Sequence, residues 1–345
     1  MTHERMGISR PRQFTGRILS LLGLPLVLAL PAMGQETVIV DGVEIHPVFG
    51  PIGVNDHRMP FHLDSIIALG LLAYSLVVAV MMNHSRPALR VAGIWGAALG
   101  CLAIAGGIIW LQVIGALDDR HPPLLPLDYL DATFLRVMAG VFALGGVLLA
   151  FVCVGQSKRS DVLTLGDRNE PERYGRRARY FHWVIAVLFL LLIPMGIFTS
   201  MIPKDQEYHQ AYYVIHKSLG LTVLILAVMR LVWLVANPAP KLDSSLSGWE
   251  KFLAHGAHYS LYFFLFAFPI SGLLLGTYAG KLSHFYFWDL PLFLEPSTEA
   301  VRLPGLLHKV VLPYLFYLVF LGHVAGALKH QFIDKHAGAF RRMVT

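Results

Sequence analysis

The chain has 345 residues, 55% of them hydrophobic and 14% charged, well under the roughly 25% charged residues usual in soluble domains. That balance excludes a single soluble core and implies a polytopic membrane protein, because several apolar runs of about 20 residues match the ~30 Å hydrocarbon layer as helices. The formal charge of +6 does not indicate a nucleic-acid partner, since the basic residues cluster in loops between apolar runs, where membrane topology accounts for them. Cys101 and Cys153 both lie inside apolar runs, and no CxxCH or paired CxxC occurs, which excludes covalent haem attachment and cysteine-built zinc or iron–sulfur sites.

Residues 1–34 carry Arg10, Arg12 and Arg17, then the short apolar run Ile18 to Leu30 and the small residues Ala32 and Gly34. This stretch reads as a signal peptide, with an uncleaved first helix as the alternative. Residues 35–62 read as an exported polar segment with a short hairpin around Asp41-Gly42. His46, His57 and His62 lie there, and with His121 from a later loop they offer only a loose metal spacing. Residues 63–154 hold three apolar runs, Leu63 to Met82, Val91 to Leu117 and Thr133 to Val154. Arg86 and Arg90 mark the first connecting loop as cytoplasmic, and Asp118, Asp119, Asp128 and Asp131 mark the next as exported. Glycines at 93, 96, 100, 106 and 107 in the middle run suit close helix packing. With no intramembrane histidine pair, this region reads as a structural or partner-docking module.

Residues 155–180 form a basic cytoplasmic linker containing Arg168, Arg173, Arg176, Arg177 and Arg179. Four helices follow, at about 181–200, 213–236, 256–279 and 309–330, in a domain spanning 181–335, and residues 336–345 form a cytoplasmic tail. The expected fold is therefore all-α and multi-pass, with a C-terminal four-helix bundle and a cytoplasmic C-terminus.

Histidine inside an apolar helix is costly without a partner, so an intramembrane histidine is a functional candidate. His182 opens the first helix of the bundle at its cytoplasmic side, and His216 opens the second at its exported side. His308 opens the fourth at the exported side, and His323 lies about 22 Å deeper at ~1.5 Å per residue. Depth therefore pairs His216 with His308 and His182 with His323, each pair suited to hold one iron axially. Positions 14 residues apart share a helix face. His182 thus shares its face with Gly196, which leaves room for the outer porphyrin, and His216 shares its face with Arg230, at the depth of the inner one, where a cation neutralises a propionate. Gly220, one turn from His216, gives similar clearance. Such haems are two haem b groups, bound non-covalently.

From Arg179 to about Lys335 the chain resembles the bacterial cytochrome b561 family of four-helix di-haem membrane proteins. The motifs are Arg179-Tyr180-Phe181-His182-Trp183, His216-Lys217-Ser218-Leu219-Gly220 with Arg230, Pro238-Ala239-Pro240, His255-Gly256-Ala257-His258 with Pro269 and Gly272, and Leu321-Gly322-His323-Val324-Ala325. The resemblance places the iron ligands on His182, His216, His308 and His323. One departure is the spacing from His308 to His323, about one residue longer than the family pattern, with Pro313 between them; a proline kink is expected to absorb it. His255 and His258 read as interfacial, hydrogen-bonded residues rather than ligands, and His330 and His336 as solvent or headgroup residues. The loop from Lys281 to Leu307, with Phe285-Tyr286-Phe287-Trp288, reads as an aromatic segment at the exported interface.

The function expected from these features is transmembrane electron transfer through two b-type haems, and the resemblance implies electron exchange with membrane quinone. The resemblance adds superoxide oxidation coupled to ubiquinone reduction as an alternative. A haem-bearing anchor for an exported redox protein is another. A transporter would leave the four histidines unexplained.

Overall fold

The computed structural model describes residues 38–40, 43–46, 50–51, 62–113, 127–157, 166–201, 209–334 and 341–344. The signal-peptide reading, His57, His121 and His336 lie outside the described residues. Near the start, β1 (Val38–Val40), β2 (Val43–His46) and β3 (Gly50–Pro51) form an antiparallel meander in which Val40 pairs with Val43 across Asp41-Gly42.

Seven long helices follow among the described residues. The first three are α1 (Leu63–Met82), α2 (Pro87–Val113) and α3 (Leu127–Ser157). The bundle contains α4 (Arg176–Met201), α5 (His209–Ala236) and α6 (Gly248–Tyr278). Its last helix begins as α7 (Arg302–Leu306), passes through a π-helical turn (Leu307–Val311) and continues as α8 (Leu312–Phe332). A short α9 (Arg341–Val344) ends the described chain. Six of these spans are long and apolar enough to cross a membrane, and α3 contributes the apolar stretch Leu135–Phe151. Large apolar side chains such as Phe151, Val232 and Leu318 face outward, as expected where the surrounding solvent is hydrocarbon.

The sequence ends its elements by recognisable chemistry. Ser247 and Glu250 form a reciprocal capping box at the start of α6, and Pro87 supplies the first residue of α2. At Gly93 a side-chain carbon would stand 2.4 Å from the Met82 nitrogen, so glycine there lets α2 cross the end of α1 backbone to backbone. Gly96 and Gly100 also face α1, and Tyr74 donates to the Gly96 carbonyl at 2.6 Å. Gly106 and Gly107 meet no neighbour.

α1 packs on α4 and α5, joining the two halves of the chain. Between α6 and α7 the aromatic loop folds into a hairpin, β4 (Ser283–Phe285) with β5 (Trp288–Leu290). Its turn residue Tyr286 is buried with a left-handed φ of 56°, uncommon for a residue with a large side chain. Three bonds fix it. Its N–H donates to Ser218 Oγ at 2.8 Å, its carbonyl accepts from Ser65 Oγ at 2.7 Å, and its hydroxyl meets Thr222 Oγ1 at 2.8 Å. The hairpin thus ties α1 to α5 at one end of the bundle, called here the hairpin end; the opposite end, where the linker and α9 meet, is the linker end.

Candidate haem-binding site

Within the bundle the four histidines come together as two pairs. At the hairpin end the rings of His216 (α5) and His308 (π-turn) are edge to face with centroids 6.0 Å apart. At the linker end His182 (α4) and His323 (α8) have centroids 6.4 Å apart. Between the pairs lies an aromatic core, in which Phe189, Phe264, Phe268 and Phe316 contact one another edge-on or tilted.

Each hairpin-end histidine rests on a glycine of a neighbouring helix. A side-chain carbon at Gly196 would stand 2.8 Å from His216 Cε1, and one at Gly272 would stand 2.6 Å from His308 Cε1. Both glycines follow a proline inside their helix, Pro194 in α4 and Pro269 in α6. The room at Gly196, expected for a porphyrin, is taken by the imidazole itself. At Gly220, one turn from His216, an added carbon meets nothing within 4 Å.

His308 Nδ1 is 3.0 Å from the Phe268 carbonyl and 3.1 Å from Ser271 Oγ, while that hydroxyl donates to the same carbonyl. A carbonyl only accepts, so Nδ1 carries the proton and Nε2 keeps its lone pair. His216 Nδ1 is buried without a well-formed hydrogen bond, the Leu192 backbone being its polar neighbour.

Between His308 and His323, where one residue more than the family pattern was expected, the helix starts in a π-turn. Such a turn holds one more residue per hydrogen-bonded ring than an α-turn, and Pro313 has no N–H to offer the Lys309 carbonyl. The kink expected at Pro313 is therefore preceded by a π-turn that itself contains His308.

At the linker end Arg230 stands close enough for its charge to bear on His182, His258 and His323. Its Nε donates to the Tyr262 hydroxyl at 3.1 Å. His258 makes no hydrogen bond among the described residues and lies 5.4 Å from His323, centroid to centroid, a third imidazole at this end that residue spacing alone did not place. His255 is exposed, with Nδ1 2.7 Å from the Lys251 carbonyl. His330, Asp334, Lys329 and Glu250 form an ionic network in which Lys329 Nζ bridges the two carboxylates at 2.7 Å each.

Two further polar groups at the hairpin end carry no sequence motif. His284 is buried, with Nδ1 2.6 Å from Asp289 Oδ1 and Nε2 3.2 Å from the Gln210 amide nitrogen. Lys281 lies 5.9 Å from the centre of the Tyr213 ring, and burial lowers its ammonium below the usual value.

The model of the family described as prokaryotic cytochrome b561 matches residues 173–345. This chain belongs to that family. Among curated proteins it is 35% identical over 169 residues to cytochrome b561 homolog 2 of Escherichia coli K12, covering 48% of this chain and 89% of that protein. It is 23% identical over 171 residues to cytochrome b561 homolog 1 of the same organism, covering 50% of this chain and 97% of that protein. It is 24% identical over 162 residues to the probable superoxide oxidase CybB of Yersinia pestis, covering 47% of this chain and 90% of that protein. The family model leaves α1 to α3 and the residues before them outside its bounds.

The family carries out membrane electron transfer and binds b-type haem. The residues present fit that group. Centroid separations of 6.0 and 6.4 Å are about twice the ~3 Å from a coordinated metal to an imidazole centre, given metal–nitrogen bonds of ~2.1 Å. His308 offers an unprotonated Nε2, with its other nitrogen bonded to a backbone carbonyl, the arrangement that orients metal-ligating histidines. The glycine cradles keep the two hairpin-end rings against their helices.

Proposed function

We propose that this protein moves electrons across the bacterial inner membrane by holding two b-type haems, one near each face, and that it exchanges electrons with the quinone pool. The observation that carries this reading is the pair of facing imidazoles at each end of one four-helix bundle, 6.0 and 6.4 Å between centroids. His216 and His308 are the proposed ligands at the hairpin end, and His182 and His323 at the linker end. Haem supplies a one-electron carrier whose potential answers to axial ligands, burial and nearby charge.

The chain's own residues do the rest. Gly196 and Gly272 let the hairpin-end imidazoles approach α4 and α6 closely, Gly220 leaves a porphyrin face free, and the Phe268 carbonyl orients His308. Arg230 supplies positive charge at the linker end. The aromatic core keeps water from between the two sites. The positive-inside rule puts the linker end and C-terminus in the cytoplasm and the hairpin outside. In domain terms, residues 181–335 are the electron-carrying unit and residues 63–154 a module docked on it through α1.

A reduced-minus-oxidised spectrum of the purified protein tests this reading: a b-type α band with two resolvable midpoint potentials is expected, and no α band would contradict it. Superoxide oxidation at the outer face is a second reading, favoured by the likeness to the Yersinia pestis protein, named a probable superoxide oxidase. Stopped-flow decay of superoxide, accelerated by protein plus quinone, would support it; an unchanged decay would exclude it.

A further inference from the structure

Arg230, Trp233 and Leu234 lie at helical spacing on one face of α5 and line a small cleft at the linker end, beside Ala178 and Tyr174. Ala178 is one turn from His182 on α4, so the cleft opens next to the linker-end pair. Its polar lining is mainly donors, with the Asn169 amide, also on the wall, engaged by the Asn237 and Pro238 carbonyls and the Gly175 N–H. The Trp233 indole N–H is buried and has no hydrogen-bond partner among the described residues. Arg230 is bonded to the Tyr262 hydroxyl, also on the cleft wall, which accepts from it and keeps its own proton to donate. Burial raises the Tyr174 phenol above its usual value, so it too is a donor at neutral pH. Among the described residues no acidic side chain lines the cleft. A buried donor without an acceptor is costly, and a cation with several donors but no anion is a carboxylate site in its chemistry.

The cleft is also built and covered. The Arg177 guanidinium carbon lies 5.2 Å from the Trp233 ring centre, holding the indole from outside. Met343 of α9 contributes to the wall, and its carbonyl accepts from Trp183 Nε1 at 3.1 Å. Arg342 donates to the carbonyls of Glu172, at 2.7 Å, and Lys241. The C-terminal segment is thus tied over the cleft from three directions.

We propose that this cleft seats a carboxylate, one propionate of the haem held by His182 and His323, with Arg230 as its counter-ion, Trp233 Nε1–H and the Tyr174 hydroxyl as donors, and the α9 segment as its cover. This rests on the ligand pairing given under the proposed function. Its Trp233, Tyr174 and α9 parts go beyond that pairing.

The test is potentiometric titration with resonance Raman spectroscopy of the propionate bending modes, on the haem-loaded protein carrying Trp233→Phe. Both haems are expected to stay at full occupancy. The haem that is lost in His182→Ala is expected to become harder to reduce and to shift its propionate band, with the other haem unchanged. Tyr174→Phe moves the same haem in the same direction, and serves if Trp233→Phe does not accumulate. Unchanged midpoints and propionate bands in both variants, at full occupancy, would overturn the proposal. So would a shift confined to the other haem. A wild-type propionate spectrum that is constant in added acetate is expected; one that responds to acetate would mean the cleft takes free carboxylate instead. Protein that binds no haem at all would sink the ligand pairing, a separate outcome.

Discussion

At the scale of single residues the hairpin-end site depends on missing atoms. Gly196 and Gly272 leave room for the imidazoles beside them, and any side chain there would overlap His216 or His308. Overpacking of this kind costs about 1–3 kcal/mol, and here it would displace a proposed haem ligand. Gly196→Val and Gly272→Val are each expected to lose the hairpin-end haem and keep the other, as counted by haem per protein. Gly220 has open space around it, so Gly220→Leu is expected to leave helix content and thermal stability unchanged while lowering occupancy of the same haem. Equal occupancy in Gly220→Leu would show that no porphyrin lies against that face. Residue spacing already put Gly196 on the face of His182 and close in depth to the outer pair. That its neighbour is the His216 ring could not be read from spacing, because it depends on how α5 leans on α4. The part played by Gly272 was hidden for the same reason: its contact crosses from α6 to the π-turn.

At the scale of elements the last span shows what a pattern can and cannot carry. The spacing from His308 to His323 suggested an extra residue, and the backbone there holds the π-turn Leu307–Val311, with both histidines beside their partners. Deleting Val310 is therefore expected to convert the turn to regular helix and keep both haems. Inserting an alanine after Val311 adds a residue with no further turn to absorb it, rotating one histidine by about 100°, and is expected to lose one haem. Retention of both haems in the insertion variant would contradict this account of the turn. The hairpin was less legible. Phe285 to Trp288 looked like an interfacial loop, whereas Tyr286 is buried in a left-handed turn with polar partners on two helices. Serines and threonines facing inward at 65, 218 and 222 carry no periodic signal of their own.

At the scale of the molecule, apolar run lengths were enough to lay out the long helices, since a helix crossing hydrocarbon must satisfy its own backbone and advertise its length in sequence. The docking of the two halves was not, because it runs through α1 and a few buried polar contacts. Ser65→Ala would leave the buried Tyr286 carbonyl without that donor, at a cost of about 1–3 kcal/mol. A lower melting temperature with unchanged haem content is expected; loss of haem would mean that the module takes part in the site. The central claim concerns the pairing of histidines, and three imidazoles at the linker end, His182, His258 and His323, make that pairing open to direct test. The decisive measurement is haem per protein, with midpoint potentials, for alanine variants of His182, His216, His258, His308 and His323. Two haems are expected in the wild type and in His258→Ala, with His216→Ala and His308→Ala losing one and the same haem, and His182→Ala and His323→Ala losing the other. Loss of a haem in His258→Ala with retention in His182→Ala would contradict the pairing.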